Sequence, residues 1–133
     1  MCEVTGLFAI RREDIPEYIR DGLRPEWLPV KLRIPEEKLT EIPDVAGHLT
    51  TVWTTEKGPQ WKQTLEIRTS ADIGSVDVLR GCWFLARISD DILMLIGDPA
   101  GKPPVMTYTQ EIQNVSSRII HISAVMADPP IMF

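Results

Sequence analysis

The chain has little cysteine: 2 of its 133 residues, Cys2 and Cys82. One sits at the terminus and the other inside an apolar run, so a disulfide scaffold is excluded, and free thiols suit a reducing compartment. Long apolar runs are also missing. The longest, Ile92 to Ile96, falls far short of the ~20 residues that a membrane-crossing helix needs. The opening MCEVTGLFAIRRED has no basic region before its apolar stretch, which Thr5 and Gly6 interrupt, so it does not read as a secretory signal. The cytoplasm is therefore the expected location, without membrane contact. Basic residues are in the minority, 14 against 19 acidic, for a net charge of -5. That balance gives no general attraction to a polyanion and disfavours whole-surface nucleic-acid binding.

Several chemical signatures are absent as well. The two histidines, His48 and His121, are far apart in sequence, and no Cys-x-x-Cys or His-x-x-x-His spacing exists; no metal or cofactor is expected. Asp90 and Asp91 are adjacent and point to opposite sides of the chain, which suits a tight turn better than a cation site. Gly101-Lys102 is followed by Pro103, where a phosphate-binding loop needs a Ser or Thr that opens a helix. Cys2 follows Met1 and so lacks the free amine that activates an N-terminal thiol. Cys82 lies in the apolar run Cys-Trp-Phe-Leu and reads as a core thiol.

What remains is an average globular composition, 44% hydrophobic and 25% charged, in one domain spanning 1–133. Two counts stand out: 11 prolines, and 4 tryptophans against 3 Phe and 2 Tyr. Glu3 to Ile10 reads as a strand with Gly6 marking a bulge. A helix is expected next, with Asp14 as N-cap, Pro16 in its first turn, Ile15, Tyr18 and Ile19 on one face, and Gly22 at its end. Prolines 25, 29, 35 and 43 then divide the chain, leaving Val30, Leu32 and Ile34 as a short strand and one helical turn after Pro35. Leu49 to Thr55 and Thr64 to Thr69 read as strands, the latter with one wet face. Cys82 to Ile88 and Ile92 to Ile96, joined by Ser89-Asp-Asp91, form the clearest hairpin; its continuous apolarity places it centrally, with both faces covered. Thr107 to Ser117 is either strand or helix, and Arg118 to Val125 is a last strand, on which His121 has the parity opposite to Ile120 and Ile122 and reads as an edge or surface histidine.

The expected class is therefore α+β, with a mainly antiparallel sheet of about six to eight strands, two or three short helices, and a half-barrel-like closure. Such helices cannot cover a whole face of the sheet. A homodimer is expected to supply the cover, with the tail Ile131, Met132, Phe133 packed across it.

A first strand ending in Arg11, a short helix, Asp21-Gly-Leu-Arg-Pro25 and the later strand Thr51 to Thr55 resemble the opening of ADP-ribosyltransferase-like folds. This resemblance implies a small enzyme that grips a nicotinamide nucleotide through Arg11, Tyr18 or Glu111. The sequence departs from that family in having no His on the first strand. It also lacks a late Gln/Glu-x-Glu, since Glu111 is followed by Ile112 and Gln113.

The residues themselves point instead to a binding surface. Trp53 and Trp61 bracket the loop Thr54 to Gln60, which includes Lys57; His48 precedes it, and Lys62 and Arg68 follow. Aromatic planes and donors gathered around one loop suit a non-enzymatic module that engages a protein partner or a small nucleotide-like ligand.

Overall fold

A computed structural model describes residues 2–21, 34–70, 78–110 and 118–133. Its strands are β1 (Cys2–Val4), β2 (Gly6–Ile10), β3 (Thr40–Ile42), β4 (Ala46–Thr54), β5 (Gln60–Thr69), β6 (Trp83–Ser89), β7 (Ile92–Ile96), β8 (Val105–Gln110) and β9 (Arg118–Met126). They form two antiparallel sheets, a first of order β1-β4-β5-β9-β8 and a second of order β3-β2-β6-β7.

The α+β expectation is overturned. Strands make up 54% and helical turns 9% of the described structure, and no described helix reaches seven residues. The expected helix from Asp14 to Gly22 fails at Pro16, whose ψ of 135° is extended. Arg12–Asp14 forms a 3-10 turn instead, and α1 is one turn, Glu17–Arg20, with Pro16 rather than Asp14 at its N-cap position. Even so, Ile15 and Ile19 are both buried. A second 3-10 turn, Glu36–Lys38, follows Pro35 as expected. Gly22, Val30, Leu32 and the helical alternative within 111–117 lie outside the described residues.

The sheet folds over onto a second sheet. Glu3 to Ile10 is not one strand: the chain leaves the first sheet at Thr5, whose amide donates to the Arg87 carbonyl at 3.1 Å, and enters the second. Between the sheets, Val4, Leu49, Leu65, Ile67, Ile120 and Ile122 of the first pack with Leu7, Phe84, Ala86 and Ile96 of the second. This is the main core. On the far side of the second sheet, Ile10, Trp83, Leu85 and Leu95 pack with Ile15, Ile19, Ile34, Ile131 and Phe133. The β6–β7 hairpin is thus apolar on both faces because each face meets a different cluster.

The C-terminal tail does not lie across the open sheet face. It seals the outer edge of β7 within its own chain: the Leu93 amide donates to the Phe133 carbonyl at 3.1 Å, the Phe133 amide to the Leu93 carbonyl at 2.8 Å, and the Leu95 amide to the Ile131 carbonyl at 2.8 Å. Further along that edge, the buried Gln63 side chain of β5 reaches across from the first sheet. An edge strand so covered offers no free ladder to another chain.

The first sheet keeps one wet face, as the β5 sequence requires. Lys62, Thr64, Glu66 and Arg68 alternate with buried Gln63, Leu65, Ile67 and Thr69. No described helix is long and apolar enough to cross a membrane.

Candidate functional site

The β4–β5 hairpin positions the tryptophans. Trp53 and Trp61 are cross-strand partners, and their rings meet edge to face, centroids 5.3 Å apart and planes at 64°. Such a pair is favoured by the ring quadrupoles by about 1 kcal/mol beyond the area it buries. Both lie on the same side of the sheet as Leu49 and Leu65, the side that faces the core. Cover from the second sheet decreases along that row: Leu49 is buried, Thr51 half-buried, and Trp53 51% exposed. The aromatic pair therefore stands at the tip, where the core ends. Trp61 is half-buried and pairs in register with buried Met126 of β9.

The turn beyond the pair is built for tightness. The Gly58 amide donates to the Thr55 carbonyl at 3.2 Å, and Gly58 takes a φ of +91°, a conformation that L side chains rarely adopt. Thr54 Oγ1 accepts from the Glu56 amide at 3.4 Å. Glu56, Lys57 and Pro59 are all exposed.

The six residues expected to form one surface separate into two. Trp53, Lys57 and Trp61 gather at the tip. Lys62 is adjacent in sequence but points to the wet face. His48 and Arg68 lie on that same face toward the far end of the hairpin, opposite Glu66 and Ala46 respectively.

Register also assembles a row that the sequence did not reveal. Glu3 pairs with His48, His48 with Glu66, Glu66 with His121, and His121 with Thr107. Both histidines of the chain thus stand on one rung of the wet face, separated by Glu66, with His121 Nδ1 at 3.9 Å from Glu66 Oε2. His121 is a surface residue, as its parity indicates, but β9 is an interior strand and not an edge. No signal in the primary sequence joins residues 3, 48, 66 and 121; strand pairing does.

A cleft of about 110 Å³ is lined by Ile19, Asp98, Met126 and Ile131 among others; Met126 is the cross-strand neighbour of Trp61. The size of the cleft is below the several hundred Å³ that usually accommodate a nucleotide. The Gly97–Pro104 connector bordering it is closed by its own bonds: the Ala100 amide donates to Asp98 Oδ1 at 2.9 Å, and Trp83 Nε1 donates to the Asp98 carbonyl at 3.0 Å. Trp83 is accordingly a core residue.

Of the three residues that the transferase resemblance implies, only Arg11 has a described side chain. Arg11 is exposed and 4.0 Å from Glu13; the Tyr18 side chain and Glu111 lie outside the described residues, as does Trp27. Cys2 is exposed, and Cys82 is half-buried rather than fully buried. Burial raises the Cys82 pKa; Arg11 opposes that shift and Glu13 adds to it. Among the described residues no three His, Cys, Asp or Glu side chains are grouped to hold a metal ion. No family model, curated protein or solved structure matches the chain.

Proposed function

We propose that the chain is a non-enzymatic interaction module that engages a protein partner through the tip of the β4–β5 hairpin. The observation that carries this reading is the edge-to-face Trp53–Trp61 pair, with Trp53 half exposed, where β4 and β5 meet the hairpin turn. A large ring left half in water at the end of a hydrogen-bonded strand pair has the character of an interface anchor, because tryptophan dominates binding hot spots. The edge-to-face contact with Trp61 limits the freedom of Trp53 and so lowers the ordering cost of binding. A protein is favoured over a nucleotide-like ligand because the cleft bordered by Met126 is small.

The test joins fluorescence to capture. Acrylamide should quench part of the emission of the native chain, and Trp53→Phe should remove most of that quenchable fraction. Immobilised chain should retain a protein from an extract of its native host, and Trp53→Ala should lose it. AMP and NAD should leave the emission unchanged. Capture that survives Trp53→Ala would refute the assignment of the surface, and turnover of NAD would favour the transferase-like alternative.

A further inference from the structure

The wet face of the first sheet is uncovered among the described residues, and its central rung reads Glu3, His48, Glu66, His121 across four neighbouring strands. Acceptor and donor alternate. A row with that alternation is complementary to its own reverse, provided the reversal is centred between two strands and not on one. We propose that this face packs against the same face of a second copy of the chain, about a two-fold axis that runs along the strands midway between β4 and β5.

With that axis, Glu3 faces His121 of the other copy and His48 faces its Glu66, so all four residues meet an opposite. An axis centred on β5 would set Glu66 against Glu66, and one directed across the strands would set every residue of the rung against itself. The neighbouring rungs agree with the same choice. In the rung Val52, Lys62, Val125, Lys62 would face Val52 of the other copy and lay its aliphatic stem along it. Val52 is 45% exposed, and this contact would cover it. In the rung Thr50, Thr64, Ser123, Thr50 would face Thr64, a pair of small residues that lets the sheets approach.

About this axis β4 lies over β5 of the other copy for ~25 Å, and the three-residue β1 lies over β9 for only ~10 Å; at ~4.8 Å strand spacing the overlap covers ~340 Å² per copy, hence ~700 Å² in total. That is below the ~1,000 Å² of a stable specific interface, so association is weak, reversible and dependent on concentration. This inference uses residues other than the hairpin tip, and its failure leaves the role of Trp53 intact.

The test is a charge exchange on exposed positions. The native chain should show a monomer–dimer equilibrium in sedimentation at high micromolar concentration. His48→Glu with His121→Glu makes the rung uniformly acidic, and Glu3→Lys with Glu66→Lys makes it uniformly basic or neutral; each double variant should lose self-association by at least tenfold. An equimolar mixture should recover a heterodimer, because opposite rungs then face each other. Circular dichroism melts matching the native chain would show that both variants fold. A native chain that stays monomeric, double variants that dimerise like it, or a mixture that remains monomeric would each overturn the proposal. So would hairpin-tip variants that abolish the dimer while the rung variants do not.

Discussion

The side chain of Gln63 acts as a peptide group for Leu95. Its Nε2 donates to the Leu95 carbonyl at 3.1 Å, and its Oε1 accepts from the Gly97 amide at 2.9 Å. The carboxamide thus continues the ladder where the tail stops, and a residue of the first sheet completes the edge of the second. Gln63 is fully buried, so neither backbone group has water to turn to if the side chain is lost.

Replacing Gln63 with Leu keeps the volume and removes both bonds. Two buried backbone groups would be left without partners, at about 1 to 3 kcal/mol each. Urea denaturation should show a loss of about 3 kcal/mol. A loss below about 0.5 kcal/mol would mean that water or a backbone shift satisfies the edge.

The tail predicts a second effect on the same edge. Phe133 is 6% exposed and packs with Leu95 and Trp83 in the outer cluster. Phe133→Ala should cost about 3 kcal/mol, at the low end for a buried ring because a chain end can relax. Removing residues 131–133 should in addition uncover β7 and raise light scattering on standing, the behaviour of an exposed edge strand. A truncated chain as stable and as soluble as the full one would contradict both.

Gly47 is fixed by the backbone opposite. A Cβ there would fall onto the Glu66 carbonyl oxygen and lie 2.7 Å from the Ile67 Cα, and neither atom belongs to a flexible side-chain end. Gly47→Ala should therefore part β4 from β5 locally and cost about 3 kcal/mol, the upper range for overpacking. Amide exchange at β4 and β5 would localise the damage; protection like that of the native chain would refute it.

Cys82 gives the pH dependence. Burial raises its pKa above the ordinary value of 9.0, so the folded state holds the proton more tightly than the unfolded chain does. Stability from this group is complete below pH 9.0 and declines as pH rises through the folded-state value. Cys82→Ala should flatten the alkaline fall in the urea midpoint and leave neutral pH behaviour parallel to the native chain. Exposed Cys2 should also react first with a thiol reagent. An unchanged alkaline slope in the variant would show that another group carries it.

These features were unequally legible in the sequence. The wet face of Thr64 to Thr69 follows from period two, and the β6–β7 hairpin from two apolar runs around Ser89-Asp-Asp91, because both are local patterns. Pro16 is compatible with a helix start, yet its extended ψ moves that start from Asp14 to Glu17. Trp53 shares the parity of buried Leu49, so its exposure depends on how far the second sheet extends, which no local pattern encodes. The rung of Glu3, His48, Glu66 and His121 depends on pairing between distant strands. Gly6 reads as a bulge in the sequence; the change of sheet occurs at Thr5, one residue earlier.

That change of sheet bears on how the molecule opens. One uninterrupted segment, residues 2–10, pairs with β4 in one sheet and with β6 in the other. Neither sheet can release this segment's strand without straining its neighbour through a single residue, so the two sheets are expected to exchange their slowest amides at one common rate. Closing β2 onto β6 also joins positions far apart along the chain, a topology that folds slowly. Cooperative opening and slow closure both follow from the corner at Thr5.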